Sequence, residues 1–355
     1  MAKKRKILKE VEMINSIVKK FYLLLLIPFC LMGQSKDVSK VGTTAAAFLE
    51  IPAGAAALGT GGAFVSIAND ASALYWNVGG ISTIEKYDLH LTSMTWIGDT
   101  KYSFAGLVLP LDEFGTIGLS FTSLSMGDMA VRTVELPEGT GEFFSAGDIS
   151  FGLSYARNLT DRFSIGFTVK YIQEKIWHMT SQGVAIDAGT LFKTDIFGGM
   201  TIGASLSNFG ASMRLDGRDT RYFISVDDSK LGSNDQIPTN IEMDSWDLPL
   251  IFRIGLSDNV LQNDMYRFTA TLDATHPNND YESINVGGEF AFMEFLMIRG
   301  GFNSLLLKDG EGGLTFGIGV NSKMLFSDAL FQFDYAYRDF GRLENVHLFS
   351  IDFKF

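Results

Sequence analysis

From about residue 87 onward the chain repeats one theme: roughly ten residues alternate between apolar and polar, then a few turn residues follow. In the closing stretch, Phe349, Ile351, Phe353 and Phe355 fall on one side, and Leu348, Ser350, Asp352 and Lys354 on the other. Upstream, Phe331, Phe333, Tyr335 and Tyr337 oppose Gln332, Asp334 and Ala336, and Leu314, Phe316, Ile318 and Val320 oppose Thr315, Gly317, Gly319 and Asn321. Phe163, Ile165, Phe167, Val169 and Tyr171 oppose Ser164, Gly166, Thr168 and Lys170 in the same way. A period of two with one wholly apolar face predicts strands. About fourteen are expected, beginning near residues 87, 101, 116, 148, 162, 183, 200, 249, 265, 282, 295, 313, 329 and 345.

The links between these strands alternate in length. If the first strand starts at the periplasmic side, the even-numbered links are short ("PLDEFG", "RNLTD", "KTDIFGG", "ME"). The long ones, around residues 125–147 and 208–247, fall only at odd positions. That parity is expected of an outer-membrane barrel, with short periplasmic turns, longer outer loops and both ends of the chain inside. The polar faces carry charges of both signs: Lys170, Asp187, Arg253, Arg267, Asp273, Glu289, Arg299, Asp334 and Asp352. Unpaired ions in a dry soluble core cost several kcal/mol each. The pattern therefore predicts ion pairs across a wet lumen, with Arg253, Arg267, Asp273, Glu289, Arg299 and Asp334 as candidates. The fold class expected is all-β, a transmembrane antiparallel barrel of about 14 strands over residues 86–355.

Composition sharpens this picture. The 355 residues include 37 Gly and 30 Phe but only 7 Pro, which suits many strands with small residues inside and aromatics outside. A net charge of −12 argues against a nucleic-acid partner, since phosphate binding needs basic patches. Lys19 and Lys20 precede an apolar run of about a dozen residues ending at Gly33, too short for a membrane span of about 20. Residues 1–33 are expected to be a signal peptide, with Met13 as an alternative start, and the single cysteine, Cys30, lies within it. The four histidines, His90, His178, His276 and His347, form no Ser-His-Asp set readable from sequence and show no zinc-ligand spacing. The acidic runs at 225–235 and 308–311 lack the spaced ligands of a calcium loop. No cofactor, metal or catalytic site is expected.

Residues 34–85 read differently. They are rich in Ala and Gly, poor in charge, and lack strand alternation; Gly54, Gly59, Gly61 and Gly62 would break a long helix. A compact hatch in the barrel is the expectation. The stretch "TTAAAFLEIPAGAAALGTGGAFVSIANDASALYWNVGGIS" resembles the opening of the PorV/PorQ family of outer-membrane proteins, part of the wider barrel group that includes the FadL fatty-acid transporters. The resemblance rests on Gly61, Gly62 and Ala63, then on Asn69, Asp70, Ala71, Trp76 and Asn77 within "ANDASALYWN". Relatives read Asn-Pro-Ala-Gly where this chain has Asn77-Val78-Gly79-Gly80. The resemblance implies a fourteen-stranded barrel with an N-terminal hatch, placed in the Gram-negative outer membrane and serving type IX protein secretion.

In that role the barrel would receive cargo or accompany the translocon, and Tyr222, Phe223 and Trp246 of the long loop are candidate partner contacts. Packing of these rings on the barrel rim is the competing reading. The alternative function is a FadL-like channel for long-chain fatty acids or other hydrophobic molecules, for which Leu107, Leu109, Leu191 and Met297 are candidate lining. The terminal Phe355 resembles the signal read by the barrel-assembly machinery. Outer-membrane lipid, that machinery, the translocon and cargo are the expected partners.

Overall fold

The computed structural model describes residues 41–196, 199–225, 229, 236–307, 310, 313–322, 329–343 and 345–355. The expected signal peptide, the first residues of the hatch segment and most of the two acidic runs lie outside them. The described chain forms a closed antiparallel barrel of 14 strands. The first seven are β1 (Asp88–Thr95), β2 (Lys101–Pro110), β3 (Thr116–Ser125), β4 (Ala146–Thr160), β5 (Phe163–Ile176), β6 (Met179–Lys193) and β7 (Thr201–Gly210). The second seven are β8 (Ile251–Gln262), β9 (Tyr266–Pro277), β10 (Ser283–Phe292), β11 (Leu296–Leu305), β12 (Leu314–Asn321), β13 (Leu330–Asp339) and β14 (Asn345–Lys354). Each pairs with its sequence neighbours, and β1 pairs with β14 to close the ring. Among the described residues no helix is long and apolar enough to cross a membrane. Closure matters because lipid offers no partner for an open strand edge.

The alternation read from sequence is the geometry of the wall. On β14, Leu348, Ser350 and Asp352 are buried while Phe349 and Ile351 are each 47% exposed. On β5, Ser164, Thr168 and Lys170 are buried while Phe167 and Val169 face outward. The apolar face therefore points away from the centre, as lipid requires. Two boundaries differ from the sequence expectation. Strand β6 begins at Met179 rather than near 183, because β5 and β6 run on as a long hairpin turning at Trp177 (φ 52°) and His178. The polar residues Thr180, Ser181 and Gln182 hide that extension from an apolar pattern. Strand β8 runs on to Gln262, past a bulge between Asn259 and Leu261, so most of the stretch "SDNVLQND" (257–264), which the sequence pattern reads as a short link, is strand.

Strand β2 corrects a second expectation. Leu107 and Leu109 face outward, while Tyr102, Phe104 and Val108 point in and are buried. Both faces of β2 are apolar, so alternation could not assign its sides. Its inner face is apolar because it packs on protein rather than water: the Tyr102 hydroxyl donates to the Ile51 carbonyl at 3.1 Å. Leu191 and Met297 do point inward, each 4% exposed.

The lumen is filled by the hatch, in which every residue from 51 to 66 is buried. The hatch backbone lies against inward glycines of the wall. A Cβ at Gly301 would overlap the Gly61 nitrogen and the Thr60 carbonyl carbon, and one at Gly287 would overlap the Thr60 carbonyl oxygen. Gly61 and Gly62 themselves adopt φ of 72° and 77°, which side-chain-bearing residues rarely hold. Gly301→Val should therefore push the hatch off β11 and destabilise the barrel by about 1–3 kcal/mol. The loss is read as a lower temperature at which the compact, unheated form disappears on a denaturing gel; an unchanged temperature would refute the contact.

Candidate functional site

The barrel end holding Tyr87 and Phe355 is the near end, and the end holding the long loops is the far end. The first described residues of the hatch lie at the far end. The Thr44 hydroxyl accepts from Asn279 at 3.0 Å, the Ala45 N–H donates to the Asp247 carbonyl at 2.9 Å, and the Ala46 N–H donates to Glu174 Oε1 at 2.7 Å. The hatch then descends to the near end, where Ser82 meets Asn158 at 2.8 Å. The expectation that the chain enters and leaves at one end holds for the strands but not for the described start of the hatch, which traverses the lumen before β1.

The motif residues fasten this segment. Asn77 Nδ2 donates to the carbonyls of Val65 (2.8 Å) and Thr190 (2.9 Å), and its Oδ1 accepts from the Gly79 N–H at 3.1 Å. One side chain thus joins two parts of the hatch to β6 and closes the turn at Asn77–Gly79. Trp76 Nε1 donates to the Ala53 carbonyl at 2.7 Å, and its ring packs edge-on against Phe64 and Tyr75. The Ala71 N–H donates to Asp88 Oδ2 at 3.1 Å, and Lys354 Nζ donates to the carbonyl of exposed Asn69 at 3.3 Å. Asp70 Oδ1 accepts from the Ser72 N–H at 2.8 Å and from its hydroxyl at 2.5 Å. Burial opposes ionisation of Asp70, but positive charge on His90 and Lys354, with the Ser72 bonds, outweighs it and holds the carboxyl below its usual range. Burial pushes the Tyr75 phenol up to about 12, so its hydroxyl stays protonated and donates to the Glu50 carbonyl at 3.0 Å.

Four of the six lumen charges named from sequence form one chain. Arg267 meets Glu289 at 2.9 Å and Glu294 at 2.8 Å, and Arg299 meets Glu289 at 2.7 Å and Asp334 at 2.5 Å. Arg299 and Asp334 are 4% and 0% exposed. The other two engage the hatch instead. Arg253 stacks over the rings of Tyr75 (5.7 Å) and Trp76 (5.4 Å), and Asp273 accepts the Val65 N–H at 2.9 Å. The wet lumen expected from the charges is corrected in part: Arg253, Asp273, Arg299 and Asp334 are buried against the hatch or each other, while Arg267 and Glu289 are partly exposed. Two further polar groups lie inside; Lys170 and Asp187 are read from sequence as inward charges, and His90 is not. Lys170 pairs with Asp187 at 2.7 Å and donates to Asn208 at 2.9 Å. His90 lies beside Asp352 and Thr92, 2.7 Å from each. The clue to His90 was its inward parity with Thr92 on the first strand.

At the far end, Tyr222 and Phe223 sit on a two-stranded hairpin, Arg221–Ile224 against Ile237–Asn240, and are 63% and 66% exposed. They do not pack the loop on the rim. Trp246 fastens the loop through paired backbone bonds to Met213 of 2.8 and 2.9 Å, with its ring half exposed. The loop between β3 and β4 adds Met129, Val134, Leu136 and Phe143, all exposed, which the sequence pattern did not single out. At the near end the Phe355 ring lies against Tyr87 and Phe353, with centroids 5.5 and 4.9 Å apart.

A closed wall with its apolar face outward, a lumen plugged by an irregular hatch, and long loops at one end define an outer-membrane β-barrel of the hatch-bearing kind. Solved structures of that kind are similar in fold. The Pseudomonas putida toluene transporter TodX superposes with a TM-score of 0.50 at 12% identity, covering 85% of this chain and 96% of that one. The CymD monoaromatic hydrocarbon channel gives 0.50 at 10% identity, covering 86% and 97%. A Pseudomonas aeruginosa FadL homologue gives 0.47 at 11% identity, covering 85% and 97%. No curated protein matches the sequence. The family model for the type IX secretion system protein PorV matches residues 34–247, and the chain belongs to that family. It is an outer-membrane barrel of type IX protein secretion.

Arg299→Met should destabilise the barrel by about 3–5 kcal/mol, because it leaves Asp334 buried without its cation and takes one of two cations from Glu289. Adding Glu289→Gln and Asp334→Asn should restore part of that loss. Denaturation midpoints in detergent check both; equal midpoints for wild type and the single variant would show that the chain of ions carries no stability.

Proposed function

We propose that the far-end loops dock a protein partner during type IX secretion, either receiving cargo or holding the barrel to its translocon. The observation that carries this reading is a division within the molecule. The lumen is filled by the hatch, while Tyr222, Phe223, Met129, Val134, Leu136 and Phe143 stand exposed on loops that project beyond the wall. Exposed aromatics outside the lipid belt cost hydration free energy unless a partner covers them, and aromatics dominate interface energetics. Residues 1–33 act as the export signal, and lipid covers the outward Phe and Leu face.

The fold likeness to hydrocarbon transporters motivates a second reading, a channel for hydrophobic molecules. Leu191 and Met297 remain as inward candidates, but Leu107 and Leu109 face lipid. Half of the apolar lining assigned to that role is therefore on the wrong side of the wall.

Two outcomes are expected. Replacing residues 214–245 by a short Gly-Ser link, which spares the Met213–Trp246 pairing, should stop cargo reaching the cell surface while the barrel still inserts. Tyr222→Ala with Phe223→Ala should lower co-purification of translocon and cargo from native outer membranes by at least about tenfold, as loss of two aromatic anchors would. Normal secretion in the loop variant would overturn the reading, and acyl chains recovered from gently extracted protein would favour the channel. Separately, Phe355→Ala removes the ring that closes the near-end belt against Tyr87 and Phe353, and should reduce the inserted fraction in fractionated membranes. Unchanged insertion would show that Phe355 is only a strand end.

A further inference from the structure

Where β1 and β14 close the barrel, ionisable groups of both strands and of the hatch converge away from solvent. His90 and Asp352 are direct partners across the seam, as are Asp88 and Lys354. Asp88, His90 and Asp352 are each at most 1% exposed, and Asp70 of the hatch is 5% exposed. One ligand atom from each of Asp70, His90 and Asp352 lies within 4.8 Å of the others. Ligands on one ion with bonds of about 2 Å sit roughly 3–3.5 Å apart, so these side chains need to close by about an ångström to share an ion.

The hydrogen bonds leave part of this group unsatisfied. His90 Nδ1 faces Asp352 Oδ1 at 2.7 Å, and Nε2 faces the Thr92 hydroxyl at 2.7 Å. Asp88 Oδ2 accepts from the Ala71 N–H at 3.1 Å and meets Lys354 Nζ at 3.4 Å. Asp352 Oδ2 and Asp88 Oδ1 are buried with no hydrogen-bond partner. A buried carboxylate oxygen without a donor is costly.

We infer that this seam is a binding site for a divalent metal ion, held by Asp70, His90 and Asp352. One imidazole with two carboxylates suits zinc or manganese better than calcium or magnesium, which prefer oxygen ligands throughout. With the proton between them displaced, His90 Nδ1 and Asp352 open from 2.7 Å to the roughly 3 Å that two ligands on one ion need, and the unpartnered Asp352 Oδ2 is free to join the bonding. Nε2–H then donates to Thr92, which fixes the tautomer as outer partners of metal-bound histidines do. Because Asp70 belongs to the hatch, the ion ties the plug to both strands of the closure.

The test uses the full chain purified from outer membranes in mild detergent, stripped with a chelator, then dialysed against zinc or, separately, manganese. Bound metal is counted by mass spectrometry and thermal unfolding is followed by tryptophan fluorescence. Stoichiometric metal, a higher unfolding temperature in the loaded form, and binding weakened at least about tenfold in Asp70→Asn and in Asp352→Asn are expected. Since Asp352→Asn acts at the closure, the wild type provides a second readout: X-ray absorption at the metal edge should show a single imidazole among oxygen ligands. Stripped and loaded forms that melt alike, metal retained in full by Asp70→Asn, or an absorption spectrum without imidazole would each overturn the site.

Discussion

A buried, irregular backbone needs a hydrogen-bond partner for every N–H and carbonyl it takes out of water. That constraint governs this molecule more than any single contact. The strands meet it among themselves by closing the ring. The hatch meets part of it through short helical turns at Ala55–Gly59, Ala73–Trp76 and Val78–Thr83 and borrows further partners from the wall. Ser350 accepts from the Ala55 N–H, Asp273 from Val65 and Asp88 from Ala71, while Asn303 donates to the Gly61 carbonyl and Thr315 to Gly59. The polar inner face is thus a complement to a particular segment of chain, and wall glycines let the two backbones approach closely enough for those bonds to form.

The same constraint explains which charges are where. An ion pair buried between strands is weak evidence for stability, because desolvation offsets much of the attraction. The run from Glu294 through Arg267, Glu289 and Arg299 to Asp334 reduces that penalty by sharing partners, each guanidinium meeting two carboxylates. The run joins β9 to β10 and β10 to β11, and reaches across β12 to β13. Arg253 and Asp273 act differently, one spread over the Tyr75 and Trp76 rings, the other capping Val65. They fix where the hatch sits rather than how the wall closes.

Strand number and sidedness were legible in the sequence because lipid imposes a simple rule on outward positions. Phe349 and Ile351, or Phe316 and Ile318, are apolar for one reason only, and their neighbours along the strand are left to the lumen. The rule fails where the inner face is also apolar, as on β2, or where the outer face turns polar beyond the lipid belt, as at Thr180 and Gln182. The inward charges were legible as a set but not as pairs, since partners such as Arg299 and Asp334 are 35 residues apart and meet only after closure. The path of the hatch was less legible still. Its Gly and Ala residues signal close packing without saying against what, and nothing local in Thr44–Ala46 indicates contact with Glu174, Asp247 and Asn279.

A plug held this thoroughly changes what the barrel can do. Moving the plug as a unit would require breaking the Asn77–Thr190 and Ala71–Asp88 attachments together, along with the contacts of the Thr60–Gly61 backbone on Gly287 and Gly301. Those bonds lie on different strands and act in parallel, so loosening one leaves the others in place. The far-end loops carry no such constraint. The loop after β7 is braced on itself by the Met213–Trp246 pair and rests on the start of β6 through Asp216–Gly217 and the His178–Asp219 contact, while its hairpin at Arg221–Ile224 keeps its apolar side chains exposed. Stability is thereby concentrated in the wall and hatch, and adaptable apolar surface in the loops. That distribution suits a scaffold that presents a docking surface in a protein-secretion pathway better than one that opens a passage.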